Sequence, residues 1–206
     1  MRRGPVLPFW CEHLSMPRAA AAAVVTALGL GAAAAPAQTP VYELAPTHSF
    51  VHFEVLHFGT STIRGRIGPV AGSVEFDAAA RRGWVGVRVP MRSVDTGLAV
   101  FDARLKQPDL LAVDAHAEAY FVAADWRFDG ERPVELRGEL TWRGRSQPLA
   151  LRVLRFACRD DVRARTEVCG SDFDAELNRS DFGVVFGLPF VADRVRLVIQ
   201  AEGTRR

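Results

Sequence analysis

The chain has 206 residues, 24% of them charged and 49% hydrophobic, with a formal net charge of +2. That length is enough for one domain with a substantial core. The small positive excess lies in residues 1–37, which hold three Arg and one Glu, so the remainder is balanced and gives no electrostatic basis for nucleic-acid binding.

The N-terminal segment reads as a processing signal. Met16-Pro17-Arg18 precedes the apolar run "AAAAAVVTALGLGAAAA", and Ala35-Pro36-Ala37 is a small-x-small site. This predicts a secretory signal over residues 1–37, with Met16 as the true start and cleavage after Ala37. An uncleaved membrane anchor is the alternative, although the run is slightly short for a span. Residues 38–206 are then the folded domain, expected in the periplasm.

From residue 38 onward strand signals dominate. "PVYELA" opens the domain, and "THSFVHFEVLHFG" follows with His48, His52 and His57. Three histidines so close together invite a metal-site reading, and strand parity opposes it. His48 and His52 share a face but stand about 13 Å apart along a strand, too far for one ion. His57 falls on the other face with Ser49, Val51, Phe53 and Val55, the cleaner apolar set, which we assign to the inside of a sheet.

"STIRGRIG" and "VAGSVEFD" continue the pattern across Gly68-Pro69, and "WVGVRVPM" places Val85, Val87 and Val89 on one face. "GLAVFDARLKQPDLLAVDAH" interrupts it with helical spacing at Leu98, Phe101, Asp102 and Leu105, predicting one or two short inserted helices. "EAYFVAADWRF", "VELRGELTWRG" and "QPLALRVLRFAC" alternate again, the last with a bulge or switch near Leu154. "VCGSDFDAELNRSDFG" and "DRVRLVIQAEG" complete eight or nine strands. Gly65, Gly72, Gly86 and Gly138 inside strands mark bends where a sheet curls. The expected class is all-β, an antiparallel barrel with a short helical insertion, with a β-sandwich as the alternative architecture.

Cys158 and Cys169 flank the polar turn "RDDVRARTEV". An even pair in an exported protein predicts a disulfide at the base of a hairpin, the alternative being two free thiols. The spacing is not that of a zinc site.

Enzyme signals are weak. No G-x-S-x-G, H-E-x-x-H, C-x-x-C or phosphate loop is present. Ser49 beside His48 makes no catalytic pair, because neighbouring strand residues face opposite ways. Ser93, Asp95, Thr96 and Asp102 read as turn and capping chemistry. Two polar residues carry open alternatives. His57 is either a polar contact at a tunnel mouth or a histidine satisfied by a backbone carbonyl. Arg179 either ties a strand end to Asp181 or meets an oxygen of a bound headgroup. Trp84, Trp126 and Trp142 read as packing residues, with ligand stacking as the alternative.

The order and spacing of His48-Ser49, His57-x-Gly59, Ser93-Val94-Asp95-Thr96-Gly97, Gly138-x-Leu140-Thr141-x-x-Gly144 and Arg179-Ser180-Asp181-Phe182-Gly183 resemble the YceI-like family, from Tyr42 to about Gly203. The resemblance implies an extended, eight-stranded, lipocalin-like antiparallel barrel around a hydrophobic tunnel. It further implies a periplasmic binder of polyisoprenoid or similar amphiphilic chains, and a homodimer. Val51, Phe53, Val55, His57, Phe121 and Phe182 are the expected tunnel lining, with Arg179 as a headgroup contact. We expect no catalytic residue, no metal and no cofactor beyond the bound isoprenoid, quinone or similar lipid. Two rival readings remain at this point. One is an enzyme or redox accessory that handles a quinone and contacts a membrane protein transiently. The other is a structural stress-response protein with a filled core.

Overall fold

A computed structural model describes residues 38–163 and 165–206; the expected signal segment, 1–37, lies outside the described residues. Ten strand segments form one antiparallel sheet: β1 (Val41–Leu44), β2 (Phe50–His57), β3 (Ser61–Ile67), β4 (Ala71–Asp77), β5 (Arg82–Pro90), β6 (Glu118–Asp129), β7 (Arg132–Trp142), β8 (Arg145–Asp161), β9 (Thr166–Asn178) and β10 (Val191–Arg205). β10 pairs with β9 on one side and with both β1 and β2 on the other. β2 pairs with β3, and β1 with β4. So β1 and β2 share one position in the ring and β3 and β4 another, and ten segments make a closed eight-stranded barrel. The barrel alternative is therefore the correct one, and the ring closes through residues 41–205 alone.

The break between β1 and β2 is held by Ser49, which is fully buried. Its hydroxyl donates to the Glu202 carbonyl and accepts from the Glu202 amide, each at 3.3 Å. His48 sits in the turn before the strand, exposed, rather than on the strand face assigned from parity. Beyond Phe50 the parity is as read: Val51, Phe53 and Val55 point inward, while Glu54 lies on the outer wall.

Two interior glycines make room for aromatic rings. A Cβ on Gly65 would lie 2.5 Å from the Phe53 ring, and one on Gly138 would lie 2.8 Å from the Phe121 ring and 2.4 Å from the Val122 carbonyl oxygen. A third, Gly86, clears the ring of Trp84, which lies half-exposed on the outer wall and not in the core. The bulge expected near Leu154 is present, as the register between β8 and β9 shifts between Val153 and Arg155.

The outer wall carries a belt of alternating charge across five neighbouring strands. Arg64 on β3 bonds Glu54 on β2 at 2.8 Å, and Glu54 meets Arg196 on β10 at 3.3 Å. Arg196 bonds Asp174 on β9 at 2.6 Å, and Asp174 bonds Arg152 on β8 at 2.5 Å. These arginines hold the Glu54 and Asp174 carboxyls below their ordinary range.

The two barrel ends are built differently. At one end, called here the far end, short hairpins join β4 to β5, β6 to β7 and β8 to β9, and Cys158 and Cys169 face each other across β8 and β9 as a disulfide. At the other, the mouth, longer segments intervene. Residues 91–117 hold a single 3-10 turn and the helix α1 (Ala99–Leu105), and residues 179–190 open with the 3-10 turn Arg179–Phe182. Thr96 donates from its amide and hydroxyl to Asp102, at 2.8 and 2.6 Å, fixing the approach to α1.

Candidate functional site

Inside the ring lies one cavity of about 410 Å³, within the usual range for small-molecule sites. Its wall is made by the period-two inner faces of the strands: Val51, Phe53 and Val55 from β2, Val85, Val87 and Val89 from β5, Phe121 from β6, Leu136 and Leu140 from β7. Towards the far end it is bounded by Tyr42, Phe76, Trp126, Phe156 and Cys169, and towards the mouth by His57, Ile63, Phe101, Arg104 and Phe186. Phe186 both lines the cavity and is half-exposed, so the cavity reaches the surface there.

Polar groups are few and unevenly placed. Among the described residues no Asp or Glu lines the cavity, and the cationic or cation-capable side chains His57, Arg104 and Arg179 all sit at the mouth. Arg104 makes a bidentate pair with Asp109 at 2.7 and 2.6 Å and lies 4.4 Å over the Phe186 ring. Asp109 raises its pKa, and Arg104 in turn lowers that of Asp109. At the far end the Tyr42 hydroxyl donates to Glu167, and burial with that bond pushes its pKa up to about 12. The indole N–H groups of Trp126 and Trp142 are buried without an acceptor in the protein.

Arg179 is the most elaborated group at the site. It is buried, and its guanidinium donates to four backbone carbonyls: Nε to Ala192 at 2.9 Å, Nη1 to Val184 at 3.0 Å and to Phe186 at 2.8 Å, and Nη2 to Val191 at 2.8 Å. Burial lowers its pKa, opposed by the charge of Asp193. It accordingly organises the 184–192 segment, and four of its five donors are already engaged. Asp181, the tie expected from sequence, is not its partner; Asp193 instead accepts from the Ser180 amide and hydroxyl at 2.9 and 2.6 Å. Arg143 does similar work nearby, donating to the carbonyls of Phe182, Pro108 and Leu110 and so joining the two mouth segments.

Of the residues expected to line a tunnel, Val51, Phe53, Val55, His57 and Phe121 border the cavity. Phe182 does not. It is buried on the 3-10 turn behind Trp142, with ring centroids 5.5 Å apart, and it is Trp142 that borders the cavity. Phe182 lies off the barrel wall because the strand ends at Asn178 and the chain turns. Trp126 and Trp142 both border the cavity while packing against phenylalanines. The mouth residues Ile63, Phe101, Arg104 and Phe186 were not anticipated. The signal for Ile63, Phe101 and Phe186 was uncharged sequence: between residues 55 and 63, 96 and 101, and 182 and 192 there is no Asp, Glu, Lys or Arg, whereas Arg104 lies outside these stretches and carried no such signal.

Comparison with known proteins places this geometry in context. A family model described as the YceI-like domain matches residues 42–203. A UPF0312 protein of Azotobacter vinelandii is 30% identical over 188 residues, covering 91% of this chain and 97% of the relative. Among solved structures, Burkholderia cenocepacia BcnA superposes with a TM-score of 0.62 at 19% identity, over 75% of this chain and 95% of that one. A polyisoprenoid binding domain from Saccharophagus degradans, implicated in plant cell wall breakdown, superposes with a TM-score of 0.60 at 14% identity, over 82% of this chain and 100% of that one. At these identities the two structures show the shared fold.

Proposed function

The chain belongs to the YceI-like family, and from that premise we propose that it encloses a polyisoprenoid, quinone or comparable long amphiphile and carries it through an aqueous compartment. The observation that carries the proposal is the cavity: apolar along the barrel, bordered by cationic or cation-capable side chains only at the mouth, and without a bordering carboxylate among the described residues. Such a wall suits a hydrocarbon chain, each buried methylene contributing roughly 0.8 kcal/mol before the ordering of the chain is subtracted. The chain lies along the barrel and its headgroup, an acceptor of hydrogen bonds, stays at the mouth near His57. The solved relative described as polyisoprenoid binding supports the ligand class. In this reading residues 1–37 are a cleaved export signal, the barrel works in the periplasm, and a homodimer and transient contacts with membrane proteins accompany carriage.

The enzyme reading has less support. It needs a titratable pair at the cavity, and of His57 and Arg179 at the mouth the Arg179 guanidinium is engaged by four carbonyls. The filled-core reading is opposed by the cavity itself.

Native mass spectrometry of the chain purified from its own cells tests the proposal. The expected result is an N-terminus at Gln38 and an added mass that organic extraction identifies as a prenyl or similar lipid. A chain that is apo as isolated, and stays apo after exposure to prenyl lipids, overturns it.

A further inference from the structure

The mouth is surrounded by apolar side chains facing solvent: Val100 on α1 is 72% exposed, Phe190 62% and Phe58 58%. They come from three different segments that the fold brings to one end. Phe58 and Phe190 stack with ring centroids 5.5 Å apart, and the Phe58 amide donates to the Phe190 carbonyl at 2.7 Å. Arg104 of α1 lies against Phe186 in the same rim. Exposed apolar surface of this kind, continuous with a cavity wall, marks an interaction site.

A second observation concerns the backbone. The 184–192 segment, exposed at Val185, Phe186, Pro189 and Phe190, has no regular structure until β10 begins, yet seven of its nine carbonyls, all but those of Leu188 and Pro189, are satisfied from within the protein. Arg179 takes those of Val184, Phe186, Val191 and Ala192. The amides of Leu188, Val191 and Phe58 take those of Val185, Gly187 and Phe190, at 3.2, 2.9 and 2.7 Å. An exposed loop in water needs no such provision, because water bonds its carbonyls. A loop entering a medium without water does, since each unmet group there costs several kcal/mol.

We propose that the mouth docks on a lipid bilayer surface, with Phe58, Phe190, Val100 and Phe186 entering the interfacial layer, so that a hydrophobic chain passes between bilayer and cavity without crossing water. This rests on the carrier reading for its purpose, but not for its evidence. Among the described residues the far end offers no comparable rim: its hairpins carry Arg81, Arg82, Asp129, Glu131, Arg132, Arg163 and Arg165.

The test is flotation of the chain 38–206, which closes its barrel through its own strands, with vesicles of phosphatidylethanolamine and phosphatidylglycerol, and with vesicles of phosphatidylcholine alone. The chain is expected to float with both kinds and to resist high salt, since insertion and not charge holds it. Phe58→Ser with Phe190→Ser and Val100→Ser should reduce binding about tenfold or more, with far-UV circular dichroism unchanged. Leu98→Ser with Val185→Ser, in the same rim, should weaken it in the same direction. Val162→Ser, an exposed apolar residue at the far end, should change nothing.

Absence of flotation, equal flotation of the rim variants, or loss of binding in salt overturns the proposal. So does a dimer in light scattering that the rim variants split, because the face then belongs to a second copy. Native mass spectra of the same preparations separate the two ideas. Apo protein that floats retires the carrier reading alone, and loaded protein that does not float retires docking alone.

Discussion

The two ends of the barrel solve the same problem by different means. Each must stop a sheet without leaving backbone groups unmet. The far end does it locally, with short hairpins, charged side chains and a disulfide between residues directly opposite in the ladder. The mouth does it at a distance, with Arg179 and Arg143 reaching carbonyls of long connecting segments. The local solution leaves a charged end. The distant one leaves the chain free to be apolar at its surface, because bonding has been delegated to buried side chains. An opening that handles a hydrophobic ligand can be made in the second way and not in the first.

Substitutions can break this contrast in order of size. Arg179→Ala orphans four carbonyls in and beside the mouth, and should destabilise the protein by about 3 kcal/mol or more. Denaturant unfolding measures this, and hydrogen exchange should show the loss of protection concentrated in residues 184–192, with the β8–β9 hairpin unaffected. A uniform loss would mean the mouth is not a separate unit.

Cys158→Ser with Cys169→Ser opens a short loop and should cost about 3 kcal/mol at most in the chain-entropy account. Here the exchange pattern should reverse, with the far end loosened and the mouth segments as before. Ligand retention measured by mass should survive this change better than it survives Arg179→Ala.

The charge belt belongs to neither end and gives the smallest effect. The arginines depress the Asp174 pKa, Arg152 foremost and then Arg196. The unfolded chain therefore takes up that proton first as pH falls. The stabilisation is complete above the ordinary carboxylate value of about 3.9 and is lost as pH drops through the lower folded value. Asp174→Asn should remove less than about 1 kcal/mol near neutrality and flatten the acid limb of the stability profile, with no preference for either end in hydrogen exchange.

Much of the wall was legible in the sequence, and little of the mouth. Val51, Phe53 and Val55 could be assigned inward because period two is a local signal that any reader of the strand can count. The bulge at Leu154 was legible for the same reason, since it breaks that count. Phe182 was misplaced because the strand end at Asn178 and the 3-10 turn after it give no period-two signal to count. Arg179 was under-read because its partners are carbonyls, and carbonyls are the same for every residue type. The choice among them is made by tertiary geometry that composition does not encode. The shared ring positions of β1 with β2 and β3 with β4 were equally hidden, as β10 must be in place before they line up.

That dependence on β10 reaches into how the protein comes to exist. Tyr42 lies opposite Arg205 in the closing seam, so the barrel is sealed by a contact between residues nearly as far apart in sequence as the domain allows. Topologies dominated by such pairings form slowly, because loop entropy must be met before the contact rewards it. Until the seam forms, the curved sheet is an open trough whose oily floor faces water. On the carrier proposal, a lipid chain lying in the trough at that moment would be enclosed as the seam zips, which makes loading during folding and loading through the finished mouth distinct routes to one complex.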